Sequence, residues 1–148
     1  MRLLVQRSLN SSVIVNDKVT GKIENGLTVF VGFTNGDSEK EIDYLINKLL
    51  NLRIFEDENN IMNKSILDVG GQILSISQFT LYASTKKGNR PSYVAALDSI
   101  KAGNLYKLFN EKLNKHIHVE TGIFGADMLV NIQNDGPITI LLEKEAIS

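Results

Sequence analysis

Three short stretches of this chain hold residue types that could bind a substrate and act on it. The first is Ser77-Gln78-Phe79-Thr80, at the end of an alternating run. Strand alternation predicts that Ser77 and Phe79 face one way and Gln78 and Thr80 the other. An ordinary strand end with a polar face toward water has the same residues. The second is Asn134-Asp135-Gly136-Pro137-Ile138-Thr139. Asp-Gly signals a turn, and the proline removes a donor at the start of the last strand. About 5–6% of X-Pro bonds in folded proteins are cis, so this pattern alone leaves a simple trans turn standing. The third is the loop around Lys86, Lys87 and Arg90, flanked by Gly88 and Pro91. It suits either a phosphate contact or a solvated surface.

Other chemistries are missing. The chain has no cysteine, which excludes disulfides and thiolate catalysis. It has no glycine-rich phosphate loop and no Gly-x-Ser-x-Gly elbow. His116 and His118 stand two apart at a helix end and do not share a helical face, so they read as structural or solvated. Glu56, Asp57 and Glu58 are the densest acidic cluster, and they fall in a polar turn. An enzyme built from these parts is expected to use neither metal nor cofactor nor histidine base. It would act by positioning and main-chain electrostatics on a bond that is already reactive.

The elements that must position these residues are legible in outline. Residues 2–7 and 12–16 alternate, and Asn16-Asp17 and Thr20-Gly21 read as turns. Residues 27–33 are nearly all apolar, as a strand buried on both faces requires. Ser38 and Glu41 form a capping box, and Ile42, Leu45, Ile46, Leu49 and Leu50 make the apolar stripe of a helix ending near Leu52. Gly70-Gly71 precedes a strand over 72–81. A second helix is predicted over 99–115, with Ala102, Leu105, Tyr106, Phe109 and Leu113 on one face. Strands at 124–132 and 137–142 close the chain, with a turn at Asn134-Asp135-Gly136.

The order β-β-β-α-β-β-α-β-β indicates an α+β fold. The expectation is a single domain over 1–148: a mixed or antiparallel sheet in a barrel-like or sandwich-like layer, with two main helices packed on it. A net charge of −1 argues against a protein that grips long nucleic acid electrostatically, so no DNA partner is expected and any nucleic acid would be held locally. No apolar run is long enough to span a bilayer, and the first residues hold no signal-peptide pattern. A soluble cytoplasmic protein without a membrane partner is expected.

Taken in order, the motifs resemble the D-aminoacyl-tRNA deacylase family over essentially the whole chain. Val5-Gln6-Arg7, then Leu52-Arg53-Ile54-Phe55 with Met62-Asn63, carry the first part of the resemblance. Ser77-Gln78-Phe79-Thr80-Leu81 and Asn134-Asp135-Gly136-Pro137-Ile138-Thr139 match its two signatures. Gly88-Asn89-Arg90-Pro91-Ser92, Thr121-Gly122, Phe124, Ala126, Asp127 and Met128 fit between them. Ile138 stands where the family often has valine.

The resemblance implies a homodimer that hydrolyses the ester of D-aminoacyl-tRNA at two sites on the subunit interface. It implies that the Gly136-Pro137 bond is cis and enters the other subunit's site, where parallel carbonyl oxygens would cradle the substrate ammonium. A D side chain would then point outward and an L side chain would meet backbone, a rejection that leaves glycyl-tRNA admissible. Main-chain N–H groups around Gln78, Phe79 and Thr80 are expected to hold the oxyanion, with Ser77 beside them. Thr80 orients the ester and water or attacks as a nucleophile; the absence of a nearby base favours orientation. Arg7 is expected to support the Gly-Pro loop, and Phe124 and Met128 to wall the pocket. Lys86, Lys87 and Arg90 would contact tRNA phosphate. The competing readings are a non-catalytic nucleic-acid-binding dimer on the same fold and an esterase of small acyl amino acids.

Overall fold

Two central strands are covered on both faces, and their buried positions are mostly apolar. These are β4 (Gly26–Gly32) and β7 (Gln72–Ser77), which pair in parallel. On one face, Leu27, Val29, Val31 and Ile73 pack under the two long helices, α1 (Glu39–Asn51) and α3 (Ser99–Asn114). On the other face, Leu74 and Ile76 meet Val13 and Ile23 of a second sheet, with Phe30 packed against them. The result is a helix layer, a central sheet and a smaller outer sheet. This computed structural model describes residues 1–146.

The central sheet also includes β1 (Arg2–Ser8), β8 (Val119–Thr121) and β10 (Asn134–Glu143), in the order β10-β1-β4-β7-β8. Pairings β10–β1 and β1–β4 are antiparallel, and β7–β8 is parallel. The outer sheet joins β2 (Ser11–Val15) to β3 (Lys18–Ile23) and β9 (Leu129–Asn131), all antiparallel. A small hairpin joins β5 (Phe55–Glu56) to β6 (Met62–Lys64).

The first helix begins at the predicted cap: the Ser38 side chain and the Glu41 carboxylate exchange bonds with each other's backbone. Glu41 is nearly buried there; burial works against its charge, but the bonds from Ser38 outweigh it and hold the carboxyl below its usual range. Lys112 of α3 reaches Glu39 and Asp43 of α1, at 2.5 and 2.9 Å, and ties the two helices together.

Several expectations are corrected. The stacked sheets form a sandwich-like pair, but no barrel closes. Thr20-Gly21 lies inside β3 rather than in a turn. A Cβ at Gly21 would stand 2.6 Å from the Thr121 carbonyl, so the glycine serves close packing. A short helix, α2 (Ile66–Val69), precedes Gly70, which takes a left-handed conformation at its end. The strand expected over 72–81 stops at Ser77, and a 3-10 turn, Phe79–Tyr82, replaces its end. Of 124–132 only β9 is strand, because a reversal at Ile123–Ala126 with Gly125 at positive φ interrupts it. The separate strand β8 was not foreseen.

The Asn134-Asp135-Gly136 turn survives as a bulge. Ser8 pairs with Asn134 and Gln6 with Thr139, so Asp135, Gly136, Pro137 and Ile138 all stand opposite Arg7. No helix among the described residues is long and apolar enough to cross a membrane.

Phe109 is fully buried where α3 meets the sheet. Phe109→Ala is expected to cost about 3–5 kcal/mol. Urea unfolding checks this through a lowered midpoint at unchanged slope.

Candidate active site

A cavity of about 630 Å³ opens where β4 and β7 end together. Parallel pairing brings both carboxyl ends to one side of the sheet, where open α/β sheets place their ligands. Phe30 and Ile76 form its sheet wall, Ala102 of α3 covers one side, and Phe124 and Met128 close another. Most of the lining is apolar with a few polar groups, as small-molecule sites usually are. Asp127 is its one charged lining side chain among the described residues.

The first predicted stretch lies at this cavity, in a different conformation from the one expected. Ser77, Gln78 and Phe79 line it. Gln78 donates its N–H to the Val31 carbonyl at 2.8 Å, the last rung between the central strands. That N–H is therefore spent and cannot serve as an oxyanion donor, which corrects part of the expectation. The chain then winds into the Phe79–Tyr82 turn, so Ser77 and Phe79 are no longer related by strand alternation. Leu81 and Ala83 donate back to Gln78 and Thr80 within the turn. The N–H groups of Phe79 and Thr80 have no acceptor among the described residues, as expected in the first turn of a helix. Thr80 does not line the cavity directly; its Oγ1 accepts a bond from Gln78 Nε2 at 2.5 Å.

Gly32 makes this turn possible. It ends β4, and a Cβ there would stand 3.0 Å from both the Gln78 carbonyl oxygen and Leu81 Cβ. The turn rests on bare backbone. Tyr82, at its end, is buried, and burial first, then the nearby carboxylates of Glu145 and Asp37, push its phenol well up, so the ring is neutral.

The other walls are seated by glycines too. A Cβ at Gly103 of α3 would lie 3.2 Å from the Phe124 ring, and one at Gly122 would collide with Met128 Sδ. Phe124 also stacks at a tilt on Tyr106, with centroids 5.9 Å apart. The Tyr106 hydroxyl donates to the Ser75 carbonyl at 2.7 Å, which anchors α3 to β7.

The basic loop joins the site at its rim. Ser84 and Ser92 exchange backbone bonds of 2.9 and 2.8 Å and close the loop, leaving Lys86, Lys87 and Arg90 exposed at its tip. The next residue, Tyr93, lines the cavity and meets Phe79 edge to face at 5.1 Å. Tyr93, Ala102 and Asp127 were missed as wall residues. A tyrosine directly after the basic loop was an available signal, and Asp127 already stood among the residues of the resemblance; Ala102 gave none.

Gly136 and Pro137 are not part of this cavity in the single chain. They are exposed on the bulge of β10, and their peptide bond is cis. Arg7 stands beneath them, 7% exposed. Its Nε donates to the Asp135 carbonyl at 3.0 Å and lies 3.4 Å from the Asp135 carboxylate; its Nη1 donates to the Ile54 carbonyl at 2.9 Å. One guanidinium thus ties the bulge to the segment before β5, as the fork of five donors allows.

The remaining titratable groups sit elsewhere. His116 is exposed, and His118 pairs with Glu120 at 2.8 Å. Asp57 caps its own turn by accepting from Asn59 and Ile61, and those bonds hold it below the usual carboxylate range. Among the described residues no group of three His, Cys, Asp or Glu is placed to hold a metal.

Comparison with known proteins gives a consistent set of relatives. The family described as D-Tyr-tRNA(Tyr) deacylase matches residues 4–143. A protein named D-aminoacyl-tRNA deacylase from Clostridium botulinum (strain 657 / Type Ba4) is 53% identical over 144 residues, 97% of each chain. One of the same name from Brevibacillus brevis is also 53% identical, over 97% of this chain and 99% of its own. A solved structure titled c-Myc DNA Unwinding Element Binding Protein is 41% identical, with a TM-score of 0.94 over 99% of this chain and all of its own. A second, titled as a probable eukaryotic D-amino acid tRNA deacylase, is 17% identical, with a TM-score of 0.83 over 95% and 97%; it speaks to the fold alone.

Gly32→Ala is expected to displace the Phe79–Tyr82 turn at a cost of about 1–3 kcal/mol. Amide NMR shifts check this: residues 78–83 should move while those of α1 and α3 stay in place.

Proposed function

The chain belongs to the D-Tyr-tRNA(Tyr) deacylase family and is a hydrolase, and on that premise we propose that its cavity takes the aminoacyl end of D-aminoacyl-tRNA and cleaves the ester bond. The observation that carries this reading is the pair of unused N–H groups on Phe79 and Thr80, in a turn at an apolar cavity. An aminoacyl ester is already activated. The remaining work is to place the carbonyl, admit one water and hold the negative oxygen that forms.

In this reading water adds to the ester carbon, and the carbonyl oxygen becomes an oxyanion held by the Phe79 and Thr80 amides. Collapse of the tetrahedral intermediate breaks the ester C–O bond and expels the ribose oxygen, which takes up the proton that the attacking water gives up. The resemblance suggests that the neighbouring ribose hydroxyl assists. Thr80 is read as an orienting group. A lone pair of its Oγ1 is already engaged by the Gln78 amide, which makes it a poor nucleophile and leaves its O–H free to donate.

Selection for the D form is assigned to Gly136 and Pro137 of a second copy of the chain. Support comes from the resemblance, from the exposure of both residues and from the open outer face of β1 and β10, where Leu141 is 46% exposed. Arg7 would hold this bulge in place through Asp135. Reading only the main-chain end of the amino acid would admit many D side chains and glycyl-tRNA. Lys86, Lys87 and Arg90 are assigned to tRNA phosphates near the 3′ end, and the enzyme to the cytoplasm, where charged tRNA is used.

One relative supports a second reading. The 41% identical solved protein is named for DNA binding, which fits a non-catalytic nucleic-acid-binding dimer, while a net charge of −1 counts against it.

Matched D- and L-tyrosyl-tRNA separate the possibilities. Deacylation of the D form alone is expected; equal loss of both, or of neither, overturns the proposal. Thr80→Ala is expected to lower kcat by about tenfold, the worth of one hydrogen bond. Abolished turnover would make Thr80 the nucleophile instead.

A further inference from the structure

We propose that Arg2 is a positioning residue for the hydrolysis, fixing the turn that presents the Phe79 and Thr80 amides. The inference rests on the reading of those amides given above. Arg2 lies on β1 directly opposite Gly32. Its side chain is on the face away from the helices, since its neighbours Met1 and Leu3 belong to the helix-side core. Because Gly32 carries no side chain, the turn can settle against β4, and Arg2 can reach it from the adjacent strand.

Three contacts follow. Arg2 Nη1 donates to the Leu81 carbonyl at 2.7 Å, inside the turn itself. The guanidinium lies over the Tyr82 ring, 4.4 Å from its centroid. Its Nε is 3.7 Å from the Glu143 carboxylate on β10, close enough for ionic attraction though too far for a hydrogen bond. One side chain therefore links the turn to the strand that carries Gly136 and Pro137.

The bond to Leu81 matters for a geometric reason. A short 3-10 turn has few internal bonds, and its geometry is poorer than that of an α-helix. The two amides are useful only while they converge on one point, and small displacements in such sites cost large factors in rate. A charged donor on a carbonyl of the turn, backed by a cation over its tyrosine, holds that convergence from outside the cavity. Arg2 does not line the cavity, so its loss should leave substrate binding intact.

The test uses Arg2→Gln and Arg2→Lys in the full-length protein. Two readouts are combined: deacylation of D-tyrosyl-tRNA, and amide hydrogen exchange at Leu81 and Ala83, which close the turn. Arg2→Gln should lower kcat about tenfold with KM unchanged. Exchange at Leu81 and Ala83 should quicken by a similar factor while the β1–β4 amides hold. Lysine keeps the charge but loses the planar stack, so Arg2→Lys should restore part of both. Unchanged kcat and exchange overturn the proposal. So does a proportional loss of kcat with folded fraction, or a fall in kcat that tracks a changed sedimentation coefficient. If the unaltered protein leaves D-tyrosyl-tRNA intact, the hydrolytic reading fails, and with it Arg2's part in that reaction, whatever the exchange shows about its grip on the turn.

Discussion

Parallel pairing of β4 with β7 is the constraint from which the rest follows. Two adjacent parallel strands must end on the same side of the sheet, and covering both faces favours apolar residues on both, as Leu27, Val29, Val31, Ile73, Leu74 and Ile76 show. Helices α1 and α3 cover one face and the outer sheet the other. The chain leaving β7 has no further strand to follow at that end. It makes one last bond to Val31, crosses the bare backbone of Gly32 and winds into a short turn. The cavity forms in the space between that turn, α3 and the 124–128 segment.

This arrangement relies on main chain more than on reactive side chains. The turn leaves two N–H groups without an acceptor among the described residues, and the bulge opposite Arg7 carries backbone outward at Gly136 and Pro137. Backbone groups are positioned by the fold around them and cannot change rotamer. The charged side chains nearby serve this purpose indirectly. Arg7 binds the bulge at Asp135, and Arg2 binds the turn at Leu81. Both guanidiniums are anchored on carbonyl oxygens, which accept the planar fork in a fixed direction. Small residues do the complementary work: Gly32, Gly103 and Gly122 admit the turn, the Phe124 ring and Met128.

Each sequence error has a physical cause. Alternation through Ser77-Gln78-Phe79-Thr80 reads as a continuing strand because local pattern does not show where a strand loses its neighbour. β7 ends at Ser77, the partner of Val31, because β4 itself ends at Gly32. Thr20-Gly21 was taken for a turn because glycine usually is one, yet here the glycine admits the Thr121 carbonyl. The short strand β8 was missed because three residues carry too little periodicity to register.

What the sequence determined by itself was therefore what is local. The capping box at Ser38, the apolar stripes of α1 and α3, the doubly buried strand β4 and the order of the motifs follow from spacing and side-chain type. The resemblance, and not spacing, implied that Ser77, Gln78, Phe79, Phe124 and Met128 share one site, and all five line the cavity. Only the tertiary structure decided which N–H groups remain free, that Gly136 and Pro137 stand outside their own chain's cavity, and that Arg2 reaches the turn. Each of these depends on contacts between residues tens of positions apart, and no local pattern encodes the partner that a hydrogen-bonding group will meet.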